Sequence, residues 1–302
     1  MPLVLESPCK VNLILNILGR RPDGFHELET IMQPVPWHDR LHFEPAVSGV
    51  SLTCDDPALP VDDTNLVVRA ARAFLERAHL NAGVRIHLEK HIPLAAGLGG
   101  GSGDAATTLL GLNRLFGEPL ALSELDQLAS TLGSDVPFFL YNRPALATGR
   151  GERVTPLEPF SALRGCWLFL AHPGFGVATA WAYRELAQHP DALHGTAGRA
   201  AELLRHLQAG DLHSASARLY NALEAPVLRK YPILALYQEY LRRAGAAGTL
   251  MSGSGSTTFA IATDEAQGQA LQAGFRQQFG DRGHTALVPL ASGPETRLGC
   301  PV

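Results

Sequence analysis

The chain has 302 residues, 46% of them hydrophobic and 18% charged, which excludes a disordered chain and allows one large domain or two ordinary ones. Its 25 Lys and Arg against 29 Asp and Glu leave a formal charge of −4 with no long basic run, which argues against nucleic acid as a partner. No apolar run reaches the roughly 18 residues of a membrane helix, the N-terminus lacks the basic-then-apolar order of a signal peptide, and Cys9, Cys54, Cys166 and Cys300 have no metal-ligand or C-x-x-C spacing, so a cytoplasmic chain with reduced thiols and no membrane partner is expected.

The first half reads as strand-rich. Residues 9–17 alternate, with Val11, Leu13 and Leu15 on one side and Lys10, Asn12, Ile14 and Asn16 on the other. HELETIMQPV and RLHFEPA are two further strands. DDTNLVVRAARAFLERA reads as a helix capped by Asp63 or Thr64, with Leu66, Ala70, Ala73 and Phe74 on one face. Residues 84–90 form a strand. A glycine loop follows, then a helix from Asp104. Residues 123–132 read as a short helix opened by a Ser123–Asp126 capping box and closed by Gly133. Because Val136 precedes Pro137, DVPFFLY is expected to be extended.

The second half opens on a strand in CWLFLAHP. Helical stretches follow at about 178–188, 197–208, 211–222 and 232–244. GTLMSGSGSTTFAIAT gives two short strands around a second glycine-serine loop, and a helix over 264–279 and a strand in TALVPLA complete an α+β order in both halves. The segment 191–196 and the tail 291–302 read as loose.

Five of the seven residues from Gly97 to Gly103 are glycine, between a strand and a helix. Without β-carbons such a loop brings its N–H groups close to a ligand. The first helical turn adds unpaired donors and the positive end of the dipole, which together make a phosphate cradle. The P-loop pattern is absent, since no lysine follows the glycines. A dinucleotide G-x-G-x-x-A match over Gly101 to Ala106 fails, because Asp126, at the right distance for the ribose, lies inside a helix.

PLAAGLGGGSGDAA (93–106) resembles the phosphate loop of the GHMP kinases, the group of galactokinase, homoserine kinase and mevalonate kinase. SPCKVNLILNILGRRPDGFHELET, LGSDVPFFLYNRPALATGRGE, LYNALEAPVLRKYPIL and LMSGSGSTTFA, in that order, resemble the branch acting on a cytidine diphosphate-linked methylerythritol, and they span nearly the whole chain. One departure stands out: Ser102-Gly103-Asp104 occupies the place of two serines and a small polar residue, so one hydroxyl near the phosphates is missing. The resemblance implies a two-domain α+β GHMP fold, with a ribosomal S5 domain 2-like domain over 1–158 and a ferredoxin-like domain over 159–302. It implies ATP as co-substrate with Mg2+, a small-molecule acceptor phosphorylated on its 2-hydroxyl, and a step of the non-mevalonate isoprenoid pathway. Another small-alcohol kinase of the group and a non-catalytic nucleotide-binding regulator are the alternatives.

The same resemblance distributes roles. Asp135 takes the hydroxyl proton and Lys10 steadies the charge, although from the residues alone Asp135 caps a turn and Lys10 sits on a solvated strand face. Pro93, Leu94, Ala95, Ala96, Gly97, Leu98, Gly99, Gly100, Gly101, Ser102 and Gly103 form the ATP loop. Asn65 meets the adenine side or simply starts its helix. Phe25 and Tyr183, with Thr179 four residues before the tyrosine, hold the cytosine between aromatic faces, and His26 reads its edge. Asn12 contacts substrate near the reacting hydroxyl, and residues 252–256 pack beside the phosphates or make a plain turn. The metal ligands and the oligomeric state are not readable.

Overall fold

The computed structural model describes residues 3–290; the tail 291–302, with Cys300, lies outside the described residues. Two long strands open the chain. β1 (Leu3–Arg20) and β2 (His26–Ala46) pair antiparallel, from Leu3 opposite Phe43 to Arg20 opposite His26. The pairing register shifts at Pro8/Cys9, Asn12/Ile14 and Ile17/Gly19, which bends the ribbon. HELETIMQPV and RLHFEPA are thus one strand, continuous through Pro34 and Pro36. From Ser7 to Ile17 every residue of β1 is buried, so Lys10, Asn12 and Asn16 do not form a solvated face.

β3 (Val50–Cys54) runs parallel beside β4 (Gly83–Glu89), and β4 pairs with the second half of β2. β5 (Ala145–Gly149) pairs with the first half of β2 and carries β6 (Arg153–Pro156) as a hairpin. α1 (Leu66–Arg77), α2 (Gly100–Leu115), α3 (Leu122–Leu132) and α4 (Val136–Tyr141) cover one face of this sheet around Phe43, Phe74, Leu109 and Phe138. A β-carbon at Gly111 would stand 2.7 Å from the Phe43 ring, so glycine there sets how closely α2 lies on the sheet.

β7 (Trp167–His172) belongs to a second sheet. α5 (Thr179–Glu185), α6 (Pro190–Leu193), α7 (Arg199–Ala209) and α8 (Leu212–Ser216) follow it. β8 (Tyr220–Asn221) then returns to the first sheet, parallel to β1. After α9 (Glu224–Lys230) and α10 (Pro232–Arg243), β9 (Gly248–Met251), β10 (Thr258–Ala262), α11 (Glu265–Phe279) and β11 (His284–Pro289) complete an antiparallel sheet of order β11-β7-β10-β9. Its strands alternate between two cores. Leu168, Leu170, Phe259 and Ile261 meet Val11, Leu13 and Ile31 of the first sheet, while Phe169 and Ala260 meet Leu234, Tyr237 and Phe275 of the helices.

Several expectations are corrected. DVPFFLY is not extended: Val136–Tyr141 is a helix with five buried residues, and proline is tolerated in a first turn because its missing N–H has no intrahelical role there. α2 begins at Gly100, four residues before Asp104. Asn65, not Asp63 or Thr64, caps α1: its side-chain oxygen accepts the Val67 N–H at 2.8 Å. α3 begins one residue early, and its reciprocal contact runs from the Ala121 N–H to the Glu124 carboxylate. The helix expected over 211–222 stops at Ser216, because Asn221 leaves to join β1 and to bind the Met251 and Gly253 carbonyls. Segment 191–196 is tied down rather than loose, with the Gly195 N–H on the Ile17 carbonyl and the Asn16 amide on the Thr196 carbonyl.

Candidate active site

A cavity of about 1210 Å³ is lined by β1, the start of β2, the turn before α1, the glycine loop, Asp135, the start of α5 and the second glycine-serine loop. Small-molecule sites commonly measure about 300–1,000 Å³, so this one has room for more than one ordinary ligand. Lys10, Asn12, Phe25, His26, Asn65, Pro93 through Ser102, Asp135, Thr179 and Tyr183 all lie on its lining. Gly103 does not: it faces away, where a β-carbon would come 2.5 Å from the Pro8 carbonyl and 3.0 Å from the Ser7 hydroxyl. That contact gives a physical reason for the departure noted above, since a serine here would displace the backbone of β1.

The glycine loop before α2 presents main chain to the cavity. Gly99, the residue before α2, is left-handed at φ +71° and caps nothing through a side chain, while Gly103 N–H makes its helical bond to the Gly99 carbonyl. The N–H groups of the first turn therefore face the cavity without a side-chain competitor. Gly97, at φ +77°, lies against the second glycine-serine loop, and a β-carbon there would meet the Ser252 carbonyl at 2.1 Å. The Ser252 hydroxyl donates to the Gly97 carbonyl at 2.9 Å, and the Thr257 N–H to Ala96 at 3.1 Å. The second loop is thus the backing of the first, not a plain turn.

Lys10 and Asp135 meet at 3.6 Å. The Lys10 ammonium also donates to the Asn12 side-chain oxygen at 2.6 Å and the Gly97 carbonyl at 3.3 Å, and its side chain is only 4% exposed. Asn12 in turn donates to the Thr30 hydroxyl. Asp135 stands at the entry to α4, makes no capping bond with its side chain, and is 38% exposed. One partner is locked and the other free to face a ligand.

The other end carries aromatic rings. A turn closed by Arg21 N–H on the Phe25 carbonyl, with Asp23 accepting the Phe25 N–H, holds Phe25 outward and half-exposed. His26 and Tyr183 lie with ring centroids 5.1 Å apart. Burial, then the nearby charge of Arg20, pushes His26 below its usual range, so the ring is neutral near pH 7 and offers one donor and one acceptor. Burial, then Asp135, pushes the Tyr183 phenol up. Thr179 and Ser254 share a hydroxyl contact at 2.9 Å that ties α5 to the second loop. Asn65 spends its side chain on Val67 N–H and the Pro60 carbonyl, so it borders the cavity as a helix cap.

Sequence reasoning missed a buried ionic cluster behind the cradle. Lys90 binds both Asp39 and Asp104, the latter at 2.8 Å, and none of the three side chains is more than 4% exposed. Asp39 also accepts the His91 and Ile92 N–H groups, whereas one Asp104 oxygen has no hydrogen-bond partner among the described residues. Burial raises the Asp104 carboxyl to about 6. It missed Arg150 as well, whose flanking glycines in TGRGE were the available signal. Among the described residues no three His, Cys, Asp or Glu side chains are grouped to hold a metal. Asp104 and Asp135 are the carboxylates on the lining, and Lys90 occupies the first. That donor set suits a Mg2+ that keeps phosphate and water ligands and takes one protein carboxylate.

Residues 65–143 match the family described as GHMP kinases N terminal domain, and residues 197–281 match GHMP kinases C terminal. The 4-diphosphocytidyl-2-C-methyl-D-erythritol kinase of Synechococcus sp. strain JA-2-3B'a(2-13) is 43% identical over 284 residues, which cover 92% of this chain and 90% of the relative. The enzyme of that name from Pelotomaculum thermopropionicum is 43% identical over 278 residues, 92% of this chain and 95% of its own. A crystal structure of 4-(cytidine 5'-diphospho)-2C-methyl-D-erythritol kinase superposes with TM-score 0.79 at 37% identity, covering 95% of this chain and 98% of the other. The homoserine kinase of Cytophaga hutchinsonii, at 21% identity and TM-score 0.74 over 95% of this chain and 94% of its own, shares the fold. No described helix is long and apolar enough to cross a membrane. The chain belongs to the 4-diphosphocytidyl-2-C-methyl-D-erythritol kinase family, within the GHMP kinases.

Proposed function

We propose that this protein transfers the γ-phosphoryl group of ATP to the 2-hydroxyl of 4-diphosphocytidyl-2-C-methyl-D-erythritol, a step of the non-mevalonate route to isoprenoids. The observation that carries the reading is the meeting of Lys10 and Asp135, 3.6 Å apart, in the cavity that also holds the uncapped start of α2 and the Phe25, His26 and Tyr183 side chains. In this reading the 2-hydroxyl oxygen forms a bond to the γ-phosphorus as the bond to the bridging oxygen of ADP breaks, and Asp135 accepts the hydroxyl proton. Lys10, 3.6 Å from Asp135, stabilises charge on the transferring group. Asn12, bonded to the lysine, positions the ammonium beside the acceptor. The main-chain donors of Gly99 to Ser102 hold the triphosphate, and Mg2+, with Asp135 as its available carboxylate, would neutralise part of the phosphate charge. Residues 1–158 supply cradle, lysine and aspartate, and residues 159–302 bring Thr179, Tyr183 and the backing loop. The protein works as a cytoplasmic enzyme on a small molecule.

The aromatic end favours a nucleotide-bearing acceptor, since a small alcohol has no base to stack. The test is ATP consumption with the cytidyl alcohol, mevalonate and homoserine side by side. Turnover with the cytidyl alcohol alone is expected. Turnover with mevalonate or homoserine alone overturns the substrate assignment, and ATP binding without turnover on any of the three would make the protein a regulator.

A further inference from the structure

We propose that Arg150 is the residue that recognises the diphosphate of the acceptor substrate, an inference that rests on the reading of the cleft as the site of a cytidine diphosphate-linked alcohol. Such a substrate has three parts in a line: a base, two phosphates and the reacting alcohol. The aromatic end accounts for the first and the Lys10–Asp135 pair for the last. A dianionic middle remains to be matched.

Arg150 stands in the hairpin turn between β5 and β6, between two glycines in the left-handed region, Gly149 at φ +73° and Gly151 at φ +106°. The turn is fastened from both sides. Gly149 pairs with Leu28, two residues past His26, and a β-carbon on Gly151 would make ordinary contact, 3.7 Å, with Ser134, the neighbour of Asp135. The arginine therefore springs from backbone that touches the base end and the acceptor end at once. Its guanidinium carbon lies 4.6 Å from the centroid of the Phe25 ring. A guanidinium over a ring face can keep its N–H donors off the ring, and its planar fork matches two phosphate oxygens together.

Arg150 shares the lining with Lys10, Arg20, Lys90 and Arg184, and of these Arg20 stands at the base end, where its charge presses on His26. Lys10 is held by Asp135, Asn12 and Gly97, and Lys90 by Asp39 and Asp104. Arg184 lies 3.6 Å from Glu185 with its side chain 71% exposed. Among the described residues the carboxylate nearest Arg150 is Glu152, at 3.9 Å from Nε and so at the outer limit of an ion pair, while Glu152 accepts the Arg150 main-chain N–H at 2.6 Å. Glu152 thus shapes the turn, and Asp23, which feels the Arg150 charge, accepts its hydrogen bonds from Arg21 and the Phe25 N–H, so the guanidinium's terminal nitrogens are left to a ligand.

Calorimetry of the full-length protein with cytidine, CMP and CDP tests this, with Arg150→Ala and Arg150→Lys beside the wild type. CDP should bind the wild type more tightly than cytidine. In Arg150→Ala that advantage should shrink about ten- to a hundredfold, the worth of a charge-assisted contact, with cytidine affinity unchanged. Arg150→Lys should recover part of it, since a point charge remains without the fork. In turnover, KM for the cytidyl alcohol should rise in Arg150→Ala while KM for ATP stays constant. An equal loss for cytidine and CDP would mean that the arginine only supports Phe25, and would overturn the proposal, as would an unaltered CDP advantage. If the wild type binds cytidine and CDP equally, the diphosphate is not recognised here and the inference fails alone. Binding of none of the three would bring down the acceptor reading, and this inference with it.

Discussion

The two ends of the cleft are built from different material. At the end proposed for the nucleotide the chain presents main-chain N–H groups, and the glycines of its loop are pressed against backbone: Gly97 on Ser252, Gly103 on Pro8. At the acceptor end it presents side chains, a half-exposed Phe25 on a turn, His26 against Tyr183, and Arg150 on a hairpin. A triphosphate looks the same whichever acceptor it serves, so a rigid cradle of amides suffices. An acceptor must be told apart from others, and only side chains differ enough to do so. Solved structures under 25% identity that share the fold, such as the homoserine kinase of Cytophaga hutchinsonii, fit that division, since the scaffold persists where sequence does not.

The sharpest way to break the comparison is at the point where the two ends meet. Asp135→Asn should lower kcat by about 10²–10⁴-fold, the usual worth of a positioned proton acceptor. Binding of the cytidyl alcohol should change little, while Mg2+-dependent binding of ATP should weaken, because the variant also loses the carboxylate available to the metal. The melting temperature should hold, because the Asp135 side chain makes no helix-capping bond and the buried residues of α4 stay in place. Wild-type kcat in this variant would remove the residue from the chemistry.

Next in size is Gly97→Ala. Its β-carbon needs space that the Ser252 carbonyl fills at 2.1 Å, and alanine is strained at φ +77°. A loss of roughly 2 kcal/mol or more in unfolding free energy is expected by denaturant titration, with KM for ATP raised in whatever protein folds. Phe25→Ala should do the opposite. Phe25 is 52% exposed, so stability should barely move, while KM for the cytidyl alcohol should rise by the equivalent of about 1–3 kcal/mol of stacking and KM for ATP stay put. Two variants that both raised KM for ATP would erase the distinction between the ends.

The contrast also explains what could be read without coordinates. The glycine loop at the start of a helix was legible because its signal is compositional and local, five glycines in seven residues. That Phe25 and Tyr183 line one cavity could be expected only through resemblance, as a phenylalanine on a turn and a tyrosine on a helix look like ordinary packing. Pairs that join distant segments left no trace. Lys90 and Asp39 are 51 residues apart, and nothing in either neighbourhood marks the other as its partner. Local rules failed where tertiary burial outweighed them. Val136 took a helical conformation before Pro137 because Phe138 and Phe139 had a core to fill, and the polar residues of β1 were buried because Thr30, Glu29 and the Thr196 carbonyl bond to them.

The smallest effect concerns the ionic cluster behind the cradle, where two carboxylates share one ammonium. Asp39 is bonded by Lys90 and two main-chain N–H groups, whereas Asp104 meets Lys90 through one oxygen while the other has no hydrogen-bond partner among the described residues, and burial raises it from 3.8 to about 6. A carboxyl whose folded-state value lies above its unfolded one favours the fold while protonated. That contribution is complete below about 4 and is lost as pH rises through about 6. Asp104→Asn keeps an acceptor for Lys90 and does not titrate. The stability of the asparagine variant relative to wild type should therefore improve between pH 4 and pH 7 and level off above that, read as the difference between the two melting temperatures in matched buffers. Asp39→Asn should instead be destabilising throughout, because it removes the charge that three donors converge on. A difference between Asp104→Asn and wild type that stays flat from pH 4 to 7 would mean that Asp104 does not titrate in that range, and would overturn this account of the cluster.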